Sequence, residues 1–129
     1  MLVKKEDNFF SWTKHSQYKL KEYNLSGKRI KRIIRHPDRI EEGIAPGTIA
    51  AMQKSGSKKH PYEIWTMYVL EKSKIQNQRL SQKLARELKL QPKIRVISAW
   101  KYPGITKPGD PLPIPPEVFE EIMKLLNIS

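Results

Sequence analysis

The chain has no cysteine, which removes disulfides, thiolate nucleophiles and cysteine-bound zinc from its chemistry. Histidine is scarce too. The three residues, His15, His36 and His60, include no pair at metal-ligand spacing, and the acids do not cluster. The expectation is a protein without metal or other cofactor. Long apolar runs are also missing: no segment approaches the roughly 20 apolar residues that a membrane span requires. The opening MLVKKEDNFF carries charge where a secretory leader carries its apolar run, so the sequence reads as cytoplasmic with no membrane partner. Acids are the last shortage. Against 25 Lys and Arg stand 13 Asp and Glu, leaving a formal charge of +12 on 129 residues.

That charge is unevenly placed. Residues 1–35 hold ten Lys or Arg against three acids, and residues 73–102 hold eight against one. Residues 36–72 balance, and residues 103–129 are slightly acidic. Two basic blocks that meet in space form a surface for a polyanion, RNA above all. An acidic protein partner, or a merely solvated basic face, is the alternative.

A single α+β domain spanning 1–129 is expected: two N-terminal helices packed on a small antiparallel sheet, a helical insert between the last strands, and a C-terminal helix. Trp12 to Tyr23 reads as the first helix. Ser26 is the N-cap of a second, about Lys28 to Arg35, whose Ile30, Ile33 and Ile34 oppose Lys28, Lys31, Arg32 and Arg35. Pro37 stops it. Strands are predicted at Arg39 to Ile44 and Thr48 to Lys54, around an Ala45-Pro46-Gly47 turn. Tyr62 to Glu71, apolar on both faces, is the central strand, and Lys93 to Trp100 pairs with it. Within that last strand, strict alternation puts Ile94, Val96, Ser98 and Trp100 on one face and Lys93, Arg95 and Lys101 on the other. Residues 73–91 read as a basic helical insert, with Leu80, Leu84 and Leu88 opposite Arg79, Lys83 and Arg86. Residues 102–129 form a proline-rich strap and a terminal helix beginning near Pro115 and Pro116.

Familiar catalytic motifs are missing. There is no P-loop, dinucleotide fingerprint or Gly-x-Ser-x-Gly elbow. Pro37-Asp38 resembles the start of a metal-dependent nuclease motif, but neither Glu63 nor Glu71 has the required Lys two places on. Metal-free RNA cleavage remains open. It needs a proton acceptor, a proton donor and cations for the developing charge, all of which His, Lys, Arg and Tyr supply. The candidates are His15, His60, Arg95, Lys101 and Tyr102, and four of them have a plainer role: a helix hydrogen bond for His15, a loop position for His60, an ion pair with Glu63 for Arg95, packing for Tyr102. Phosphate contacts are assigned to Lys28, Lys31, Arg32, Arg35, Arg79, Lys83, Arg86 and Lys93.

A first helix opening Thr13-Lys14-His15, a second introduced by Leu25-Ser26 and ended by Pro37-Asp38, and a last strand IRVISA (Ile94 to Ala99) together resemble the RelE/BrnT-type toxin domains. The resemblance covers residues 12–101. It implies a metal-independent endoribonuclease restrained by an acidic antitoxin protein, with His15 matching the family's helical His and Arg95 its strand Arg. The insert 73–91 and the segment after Tyr102 depart from the family pattern. The alternatives are a non-catalytic nucleic-acid-binding or ribosome-associated module using the same cations, and a protein-interaction domain docking through the strap.

Overall fold

Apolar residues on both faces of Pro61–Glu71 force that strand into the middle of a layered structure. The computed structural model describes residues 9–71 and 93–125. In chain order the elements are β1 (Phe10–Trp12), α1 (Lys14–Glu22), α2 (Gly27–Arg35), β2 (Arg39–Glu42), β3 (Thr48–Gly56), β4 (Pro61–Glu71), β5 (Lys93–Pro103) and α3 (Pro116–Leu125). The five strands form one sheet in the order β1-β5-β4-β3-β2. β2, β3, β4 and β5 pair antiparallel, whereas β1 runs parallel to β5 with Phe10 beside Ile94 and Trp12 beside Val96.

Successive strand residues belong to opposite apolar layers. On one face Ile30 and Ile33 of α2 pack on Ala51, Ile64, Tyr68, Val96 and Ala99. On the other, Val118 and Ile122 of α3 pack on Ala50, Met52, Trp65, Met67, Ile97 and Trp100. Trp65 and Trp100 face each other in register and stack at 6.3 Å between ring centroids, both inaccessible to water.

The α+β class holds, but the arrangement differs from the expected one. A strand comes first, and its parallel pairing makes the sheet mixed. Of the two N-terminal helices, only α2 lies on a face. α1 sends Leu20 to one apolar layer and Tyr23 to the other, so it straddles the edge of β5. The sheet reaches from Phe10 to Pro103, past both ends of the 12–101 core, and α3 completes the second layer. The insert 73–91, with Arg79, Lys83 and Arg86, lies outside the described residues.

The strap is held by one buried acid. Glu63, wholly inaccessible, accepts from the Thr106 amide (2.9 Å), the Thr106 hydroxyl and Trp65 Nε1 (3.0 Å). Arg39 donates from Nη1 to Thr106 Oγ1 (2.6 Å) and from Nη2 to the Asp110 carbonyl (3.2 Å), pairs with Glu41, and lies over the Trp65 ring. The Trp100 indole donates to the Pro113 carbonyl at 2.9 Å. These bonds draw residues 106–113 across the α3 face, ahead of the final helix.

Candidate nucleic-acid interface

Strict alternation along β5 fails at one residue. Met67 pairs with Ser98 but Tyr68 pairs with Val96, so Ile97 is a β-bulge. The strand's phase reverses there. Before the bulge, Arg95 sits opposite Val69, which packs in the α3-side layer. After it, Lys101 sits opposite Ile64 of the α2-side layer, and Tyr102 returns to the α3 side opposite Glu63. Lys93, Arg95 and Lys101 therefore do not share one face, contrary to the strict-alternation expectation. Arg95 and Tyr102 lie on the side opposite Lys101. Nor does Arg95 pair with Glu63, whose bonds go to Thr106 and Trp65.

The bulge also receives the start of α1. The Thr13 amide donates to the Val96 carbonyl (3.2 Å), and Thr13 Oγ1 donates to the Ile97 carbonyl (3.1 Å) while accepting from the Ser16 amide. This docking sets His15 against Ser98, with 3.0 Å between Nε2 and Oγ. The Nδ1 atom faces Glu121 Oε2 of α3 at 2.9 Å. A carboxylate there keeps the proton on Nδ1, so Nε2 accepts from the Ser98 hydroxyl. The same Glu121 takes Lys19 Nζ at 3.2 Å, and Lys19, itself buried, also binds Glu22 at 2.6 Å.

Serine, histidine and carboxylate in that order have the connectivity of a hydrolase triad. Ser98 is wholly inaccessible, however, so no substrate carbonyl reaches it. Both ring nitrogens of His15 are engaged, leaving neither free for an external proton. The network clamps α1 and α3 together at the sheet edge.

Burial is the largest influence on His15 and holds its pKa below the ordinary 6.5; Glu121 pulls it up, Lys19 pushes it down and Glu22 pulls it up. Burial also works against the Lys19 charge, but the hydrogen bonds to Glu22 and Glu121 outweigh it and raise that pKa. Below pH 6.5 the unfolded chain takes a proton that native His15 resists. The His15 contribution is therefore full above about pH 6.5 and declines as pH falls through it. Melting temperatures taken from about pH 7.5 to 5.5 should fall, and fall less in His15→Gln. Equal slopes would show that another group sets the dependence.

A concave basic site lies on the α2 side. Asn24, Leu25, Ser26, Arg29, Arg32, Tyr62, Ile64 and Lys101 line a cleft of about 310 Å³. Ser26 caps α2 by accepting from the Arg29 amide at 3.1 Å, so the first turn is fixed. Ile30 and Ile33 bury one side of the helix, which turns Arg29 and Arg32 toward the groove between helix and sheet. The phase change at Ile97 brings Lys101 to the same groove, its ammonium 5.4 Å from the Tyr62 ring centre. No acid is among these lining residues.

The other assigned cations divide. Lys28 is exposed on α2. Lys31 and Arg35 lie over the Phe10 ring, at 5.3 and 5.5 Å, and tie α2 to β1. Lys93 is exposed opposite Glu71. Among the described residues no group of three or more His, Asp or Glu comes together as a metal site, and no helix is long and apolar enough to cross a membrane.

Arg29, Tyr62, Ser98 and Glu121 had no functional assignment from sequence. Arg29 falls at the border of the apolar stripe of α2, and the other three acquire meaning only through pairings across 30 or more residues. Comparison with known protein families, curated proteins and solved structures finds no match for the chain.

Proposed function

We propose that the protein is a single-stranded RNA-binding module whose contact centre is the cleft between α2 and the β4–β5 pair. The observation that carries this is the convergence of Arg29, Arg32 and Lys101 on one concave site without an acid. Three like charges held together repel one another, and a polyanion relieves that repulsion. A single strand suits the site better than a duplex. The cations line a concave cleft between helix and sheet, into which a flexible single strand can bend its phosphates more readily than a stiff duplex.

The endoribonuclease reading, with its antitoxin partner, needs an acid, a base and cations around one phosphate. His15 is committed to Ser98 and Glu121, and Arg95 and Tyr102 lie across the sheet from Lys101. The geometry favours binding over cutting.

The test is fluorescence anisotropy of a labelled single-stranded RNA decamer in EDTA, across a salt series. The expected result is intact RNA bound with a log–log salt slope of about −2, three contacts at roughly 0.7 each. Absent or salt-independent binding would sink the proposal. Cleavage leaving 2′,3′-cyclic phosphate ends would instead restore the endoribonuclease reading.

A further inference from the structure

We infer that the cleft is a pocket for a terminal phosphate monoester, so that the module reads the phosphorylated end of its RNA; this rests on the RNA-binding reading above. Charge is the first argument. A monoester carries about −1.5 to −2 near pH 7, whereas an internal diester carries a single charge. Arg29, Arg32 and Lys101 with no opposing acid match the larger charge.

An unmet donor is the second argument. Arg29 Nε is buried without a hydrogen-bond partner, alone in this among the buried side-chain polar atoms of the described residues. Such orphans are rare in folded proteins, and a guanidinium donor binds an anionic oxygen strongly. Arg29 lines the cleft, so a small rotation of its side chain offers the donor to a phosphate oxygen there. The guanidinium fork then binds two oxygens at once, which a terminal phosphate exposes more freely than a diester.

Tyr62 supplies the third argument, against a base as the occupant. Its ring is backed by Gly56, where an added Cβ would lie 2.8 Å from the ring and 2.3 Å from the His60 carbonyl. The ring also lies beneath the Lys101 ammonium. A base stacking there would have to displace the lysine. Tyr62 thus serves to position Lys101, and the space left suits a phosphate. The capped first turn of α2 adds its partial positive charge to the same place.

The experiment compares four decamers of one sequence, ended by 5′-phosphate, 3′-phosphate, both or neither, by anisotropy at fixed salt. Tighter binding of a phosphorylated end by about tenfold or more, corresponding to one strong charge-assisted contact, is expected. The two singly phosphorylated arms tell which end is read. Arg29→Lys keeps the charge but loses the fork, so it should weaken the phosphorylated RNA more than the hydroxyl-ended RNA and lose most of the preference between them. Equal binding of all four would overturn the monoester pocket and leave RNA binding standing. Binding of none would remove both. An unchanged preference in a folded Arg29→Lys would overturn the assignment of this cleft.

Discussion

Replacing Arg29 by Gln and Lys101 by Met together should weaken single-stranded RNA binding about hundredfold, while Arg95→Ala should change it less than twofold. The size follows from two charge-assisted contacts at about 1.4 kcal/mol each, near the low end of their usual range. The contrast follows from the bulge at Ile97, which puts Arg95 and Lys101 on opposite sides of the sheet. Neither substitution should unfold the domain. Ile30 and Ile33 supply the packing of α2, and Lys101 keeps part of its surface in water. Circular dichroism checks this before any affinity is interpreted. A large loss in Arg95→Ala with little in the double variant would move the interface to the α3 side, where Lys93 is the neighbouring cation.

The largest stability effect belongs to Glu63→Ala, at roughly 3 kcal/mol or more. The carboxylate is inaccessible and accepts from the Thr106 amide, the Thr106 hydroxyl and the Trp65 indole. Deleting it orphans donors that have no water to turn to and leaves a cavity beside the stacked tryptophans. Glu63→Gln keeps the volume but places an amide donor among donors, so it should lie between the wild type and Ala. For a domain of this size the Ala variant should melt about 10 °C lower. Hydrogen exchange locates the cause: the Thr106 amide should lose its protection before amides in the middle of β4. If Glu63→Ala costs under about 1 kcal/mol, the strap is held by the Trp100–Pro113 bond and by Leu112 and Ile114, which pack on the α3-side layer.

Local signals in the sequence predict local structure well. Ser26 is the N-cap of α2, His36 leaves the helix directly before Pro37, and β3, β4, β5 and α3 stand within a few residues of expectation. Two things escaped. β1 is three residues long and exists only through its parallel bond to β5, so no periodicity within Phe10–Trp12 reveals it. The bulge at Ile97 is equally silent, because Ile97, Ser98 and Ala99 are all small or apolar and suit either face. That one residue decided which cations share a surface. The sequence singled out Arg32 as a candidate phosphate contact and Lys101 as a candidate catalytic residue, but not their convergence with Arg29, since it depends on where a helix near residue 27 meets a strand near residue 101.

The parallel pairing of β1 with β5 bears on how the molecule is made. A ribosome releases Phe10–Trp12 more than eighty residues before their partner, Ile94–Val96, and α1 waits for the same strand because its N-cap binds the Val96 and Ile97 carbonyls. The hairpins of β2, β3 and β4 need only neighbouring chain and can form early. Phe10 and Trp12 meanwhile have no β5 to cover them, a state open to wrong partners. Synthesis order thus sets the order of assembly: arrival of β5 brings the N-terminal strand and α1 home together, and α3 follows to complete the second layer and clamp α1 through Glu121.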